Sequence, residues 1–239
     1  MRADEAQELN RVPELLFHTT LTVVDNQPNP SGPARATYPL STHTTMEAAK
    51  EFAPKALAEL GYHRSDFETY EIRPESTSNA ETDEEVYWPR GDRVIVVARR
   101  TGPYDFLIGI STTSNKEMIP SQEGDPSQLQ LRHSDDQLHY VVWTKVDYNI
   151  NAWGHAFAWD IKGVCLSRAD AIEVAETCLL SGEVDREDFV KYEERSSHDP
   201  EEVWHFGDDD VVYALAPTGE TFTVAVRTAL KSRSQLDGI

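Results

Sequence analysis

Basic residues are scarce in this chain. Its 239 residues include 22 lysines and arginines against 42 aspartates and glutamates, a formal net charge of −20. Nucleic acid and anionic membrane surfaces select for clustered Lys and Arg, so neither is expected as a partner. Long apolar runs are missing too: none approaches membrane-spanning length. The opening residues, Met1-Arg2-Ala3-Asp4-Glu5-Ala6-Gln7-Glu8, are polar and acidic with no apolar segment behind them, so no secretory signal is expected. Cysteine is limited to Cys165 and Cys178, which need no oxidising compartment. The expected location is cytoplasmic.

The common catalytic signatures are also missing. There is no Gly-rich phosphate loop, nucleophile elbow, HExxH or CxxC. The densest group with metal-ligand chemistry is His133, Asp135, Asp136 and His139, followed by His198, Asp199 and His205. Both read as polar loop residues, so no metal and no cofactor is expected. Cys178 falls on an apolar helical stripe and reads as a packed thiol, whereas Cys165 precedes a helix start with no base beside it in sequence.

What the chain does have is repetition. A shift of 122 residues places 17–73 on 139–195 without a gap, and seventeen of those fifty-seven pairs are identical. A shift of 116 then aligns Trp88, Gly91, Asp92, Val96, Ala98, Phe106 and Thr112 with Trp204, Gly207, Asp208, Val212, Ala214, Phe222 and Thr228. The expected organisation is a polar leader (1–15), a first repeat (16–113), a polar solvated linker (114–137), a second repeat (138–230) and a tail (231–239).

Each repeat reads the same way. Residues 17–25 and 139–147 alternate and are rich in β-branched side chains, which predicts strands. A loop follows, with the shared Gly32/Gly154 at an expected positive-φ position, and then a second strand. Thr44 with Glu47 and Ser167 with Asp170 have capping spacing, so a helix starts after each. Pro54 should kink or split the first helix. Asp-Phe-x-x-Tyr-Glu-x-Arg, at 66–73 and 188–195, suits either a short helical turn or a short strand. A hairpin closes each unit, turning at Thr101-Gly102 and Thr218-Gly219. The expected fold class is α+β: a tandem β-β-α-β-β unit, each a four-stranded mainly antiparallel sheet with a helix on one face, packed as a pseudo-twofold pair. Ile95, Val97, Val211 and Tyr213 are expected on the sheet faces that meet.

The two copies differ most at 75–85, an acidic insertion, and in the first hairpin of the second copy. There Trp143, Tyr148, Trp153, His155, Phe157 and Trp159 replace Leu21, Asn26, Ser31, Pro33, Arg35 and Thr37. Tyr148, Trp153, His155, Phe157 and Trp159 form the candidate ligand or partner surface. The competing reading is that these aromatics fill the interface between copies. Asp25/Asp147, Asp92/Asp208 and Glu71/Glu193 are duplicated and could meet as acid–base pairs, but aspartates at strand ends more readily bond local backbone amides.

The combination Trp-x-x-Gly-Asp, Val-Val-x-Ala, Thr-Gly and Phe-x-Val-x-Val-x-Thr resembles uncharacterised proteins of filamentous fungi. The resemblance spans both copies and implies a duplicated α+β unit, with no activity and no site attached. The functional expectation is a non-catalytic binding or scaffold protein for an unknown protein or small molecule. The alternative is an enzyme or small-molecule binder with a pocket between the repeats. An acidic decoy for a nucleic-acid-binding protein is a third reading, motivated by charge alone.

Overall fold

A computed structural model describes residues 12–27, 34–74, 88, 90–133, 136–147, 156–198 and 203–236. It contains two five-stranded sheets of the same plan. The first orders its strands β2-β1-β5-β4-β3, from β1 (Leu15–Asp25), β2 (Ala34–His43), β3 (Thr69–Ile72), β4 (Val94–Arg99) and β5 (Tyr104–Ser114). After a small hairpin, β6 (Ser121–Gln122) and β7 (Asp125–Leu129), come β8 (His139–Asp147), β9 (Ala156–Cys165), β10 (Lys191–Glu194), β11 (Asp210–Leu215) and β12 (Glu220–Arg227). The second sheet runs β9-β8-β12-β11-β10, every pairing antiparallel. The chain is thus a two-unit α+β structure. No helix of the described residues is long and apolar enough to cross a membrane.

Five strands replace the expected four. In each unit the ambiguous segment is both alternatives in succession: a 3-10 turn at Arg64–Asp66 or Arg186–Asp188, then an edge strand, β3 or β10. Three duplicated contacts explain why the segment repeats. The Tyr70 and Tyr192 hydroxyls donate to the carbonyls of Pro54 and Glu176, both at 3.0 Å. Arg64 and Arg186 lie over those tyrosine rings. Arg73 and Arg195 donate to the backbone carbonyls of Asp92 and Asp208. The motif is a clamp that ties helix, edge strand and hairpin together.

The helices follow their sequences. α1 (Met46–Phe52) is capped by Thr45, whose hydroxyl accepts from Ala48 N–H; Thr44, the expected cap, donates to the Pro126 carbonyl instead. Pro54 converts the next turn to 3-10, Ala53–Lys55, before α2 (Ala56–Glu59) resumes. α3 (Arg168–Thr177) has no proline and is unbroken, with Ser167 accepting from Asp170 N–H at 3.1 Å. Gly102 and Gly219 hold φ of +126° and +88° at the predicted hairpin turns. Gly32 and Gly154 lie outside the described residues.

The connecting segment and the tail are not simply solvated. Ile119 is buried with Leu138, Tyr140, Val142, Ile161 and Val164 on the second sheet. Buried Asn115 brackets it, its side chain donating to the Ile119 carbonyl and accepting Ile119 N–H. β7 meets the start of α1 through Thr44 N–H to the Ser127 carbonyl at 3.1 Å. At the other end, Leu230 and Leu236 are buried in the first unit's core with Leu57, Tyr62 and Phe67. Leu230 N–H donates to the Pro39 carbonyl and Arg233 N–H to that of Leu60. The hydrophobic effect binds these ends because apolar residues interrupt otherwise polar sequence.

The sheets meet along β5 against β9 and β2 against β8. Of the residues expected on the meeting faces, Ile95 and Val211 pack into the cores of their own units instead, and Tyr213 stacks on Phe206 at 4.1 Å. The Trp159 indole lies on Gly109, where an added Cβ would stand 3.1 Å from the ring and 3.2 Å from the Arg93 carbonyl. Gly109→Ala is therefore expected to cost about 1–3 kcal/mol by overpacking, read from the urea midpoint.

Candidate functional site

Some contacts between the units join equivalent positions of the two copies. His18 and Tyr140, which occupy the same position in the two copies, touch edge to face at 5.7 Å. Ser111 donates to Asp160 Oδ1 at 2.7 Å. At the equivalent pair, the Arg227 guanidinium lies 4.6 Å over the Tyr38 ring. Arg93 donates to the Trp159 carbonyl, and Arg227 to the Thr37 carbonyl.

The His18 cluster is a polar core around a fully buried imidazole. Nδ1 of His18 shares a hydrogen with Thr42 Oγ1, and Nε2 with Thr113 Oγ1, both at 2.8 Å; Thr42 also bonds the Tyr140 hydroxyl at 2.8 Å. Desolvation by burial pushes His18 down to about 3, against an opposing pull from Asp160, with His43 lowering it further. Burial pushes Tyr140 up to about 12, opposed by its bond to Thr42. Both groups are neutral at ordinary pH, and His18 is fully buried. The cluster orders the junction between the units and cannot meet a substrate.

Beside that junction lies an open cleft of about 740 Å³. Its apolar wall is Met46 and Pro54 from the helical segment with Ile72, Ile95 and Ile110 from β3, β4 and β5. Lys50, Arg73 and Arg93 bring positive charge, and Asp92 and Asp160 negative. Asp160 comes from the second unit and makes ion pairs with Arg93 at 3.1 Å and Lys162 at 3.3 Å. Burial pushes its carboxyl up, but the Ser111 hydroxyl and the two cations outweigh burial and hold it below its ordinary value. It stays ionised and is a weak base.

Side chains that differ between the copies line this cleft. Ser111 stands where the second unit has Arg227, and Met46 where it has Arg168. In the second unit the Arg227 side chain is 17% exposed, and Arg168 donates to the Val226 carbonyl. Divergence between the copies is the sequence signal that could have found the cleft, at Ser111 rather than at the aromatic hairpin.

Of the predicted surface residues, Tyr148, Trp153 and His155 lie outside the described residues. Phe157 lies under the Arg35 guanidinium at 5.2 Å and Trp159 on Gly109, so both contact the first unit. Asp25 accepts from Gln27 N–H at 2.9 Å, a local backbone contact. Desolvation pushes the Cys165 thiol up to about 11 and the Cys178 thiol up to about 12, so neither is an activated nucleophile. Asp135, Asp199 and the residues from Glu75 to Tyr87 lie outside the described residues. Among the described residues, no group of three His, Cys, Asp or Glu is placed to hold a metal ion.

Comparison with known protein families, curated proteins and solved structures finds no match to this chain.

Proposed function

We propose that the chain is a non-catalytic binding protein, built as a pseudo-twofold pair of α+β units, with its ligand site in the cleft where they join. The observation that carries this reading is the open cleft at Ser111, whose equivalent in the second unit is occupied by Arg227. A volume of about 740 Å³ falls in the range of roughly 300–1,000 Å³ typical of small-molecule sites. The reciprocal pairs Ser111–Asp160 and Arg227–Tyr38, with His18 on Tyr140, support the pseudo-twofold arrangement.

Binding is favoured over catalysis by the state of the polar groups. Within the cleft the Ser111 hydroxyl bonds a carboxylate, yet that carboxylate, Asp160, is already engaged by two cations and too weak a base to activate it. Phe157 and Trp159 support the interface reading of the aromatic hairpin, through their contacts with Arg35 and Gly109.

Ser111→Arg is the direct test. The new guanidinium would face Asp160, as Arg227 faces Tyr38; because Ser111 is only 2% exposed, a cooperative urea transition first establishes that the variant is folded. In ligand-observed NMR against small acids, amines and neutral compounds, hits on the wild type should vanish with Ser111→Arg. Hits that persist unchanged in the variant would remove the cleft as the site.

A further inference from the structure

The cations of the cleft sort into framework and surplus. Arg73 spends a donor on the Asp92 carbonyl, and Arg195 repeats that bond to Asp208, so Arg73 belongs to the shared clamp. Lys50 and Arg93 are different: the second unit has Ile172 and Asp209 at their positions. Lys50 is exposed near the end of α1 and makes no ion pair among the described residues. Among the described residues, Arg93 commits only Nη1, to Asp160 and the Trp159 carbonyl, leaving its other N–H donors. Two unduplicated cations thus border a wall of Ile72, Ile95 and Ile110, in a protein of net charge −20.

The wall matters as much as the charge. Ile72 is 49% exposed although it sits in an edge strand, so the cleft presents apolar surface to water. A purely polar anion would leave that surface wet. A neutral apolar molecule would leave Lys50 and Arg93 unused. An ionised ligand with a compact apolar body satisfies both.

We propose that the cleft takes a small organic carboxylate, its charged group toward Lys50 and Arg93 and its apolar body on Ile72, Ile95 and Ile110. The proposal rests on the cleft being the ligand site. The guanidinium offers carboxylate-matched donors and the ammonium a point charge, a pairing that fits a carboxylate against an apolar surface.

The test uses the full chain, labelled with nitrogen-15, titrated with 4-phenylbutyrate, 4-phenylbutanol and inorganic phosphate. The acid should shift amides of α1, β4 and β5, and the alcohol should bind at least about tenfold more weakly. Lys50→Gln should weaken the acid roughly three- to tenfold without changing the unfolding midpoint, and Ser111→Arg should abolish its shifts. Equal binding of acid and alcohol, both lost in Ser111→Arg, would overturn the carboxylate class and leave the cleft standing. Shifts that survive Ser111→Arg would overturn both. Phosphate that displaces the acid would refute the need for an apolar body, and no shift by the acid at about 10 mM would end the proposal.

Discussion

Between pH 7 and pH 5 the His18→Gln variant gains about 2 kcal/mol of stability relative to the wild type. The sign follows from burial. Native His18 is held neutral with a value lowered to about 3, while an unfolded histidine titrates near 6.5. Below 6.5 the unfolded chain takes up a proton that the native cluster of Thr113, His18, Thr42 and Tyr140 refuses. The wild type therefore loses stability as pH falls from about 6.5 toward 3, by about 1.4 kcal/mol per unit. Asp210 works in the opposite direction. Desolvation raises it from 3.8 to about 6, with Arg227 opposing and Asp209 reinforcing the shift. Its native form binds a proton that the unfolded chain binds only at lower pH. Its contribution is fully present below about 4 and is lost as pH rises through about 6. Asp210→Asn should therefore remove about 1 kcal/mol of gain between pH 7 and pH 5. Urea unfolding of the wild type and both variants at the two pH values separates the effects. Equal pH dependence in wild type and His18→Gln would show that the imidazole is not held neutral.

The features that were legible in the sequence are those that both copies need. The strand-rich start, the Ser167 cap, the break at Pro54 and the glycine turns at 102 and 219 are local rules, and a position that repeats them is read twice. The edge strands β3 and β10 were harder, because four residues carry too little alternation to outweigh the preceding turn. The cap moved from Thr44 to Thr45 because the Thr44 hydroxyl found the Pro126 carbonyl, a partner 82 residues away.

The cleft was illegible for a related reason. Its walls come from positions 46 to 160, and the difference between the copies there is a small side chain, Ser111, against a large one, Arg227. Neither residue forms a motif. Comparing the copies directs attention to their differences, but the most visible difference is aromatic. Two of those aromatics, Phe157 and Trp159, contact the first unit. Large residues gained by one copy can reflect packing against the other, while small residues leave space.

Expressed alone, residues 1–125 should fail to fold cooperatively. The fragment keeps its own sheet and helix, but Leu230 and Leu236, both buried in its core, belong to the other half. Losing a buried leucine typically costs about 2–5 kcal/mol, and two such losses approach the roughly 5–15 kcal/mol that holds a native protein together. The fragment also loses Tyr140 from Thr42 and His18, leaving a buried hydroxyl–imidazole pair open to water, and loses Arg227 from the Thr37 carbonyl. Residues 126–239 fare little better, because Ile119 is missing from the cluster with Tyr140 and Val164. Sharp near-ultraviolet circular dichroism and a cooperative urea transition should appear only when the two halves are mixed or co-expressed. The full chain with Leu230→Ala and Leu236→Ala should keep the second unit's contacts yet drop several kcal/mol in a single transition, since the first unit cannot melt without stripping the junction from its neighbour. Two independent transitions in that variant, or a stable monomeric 1–125, would show that the tail merely rests on the first unit.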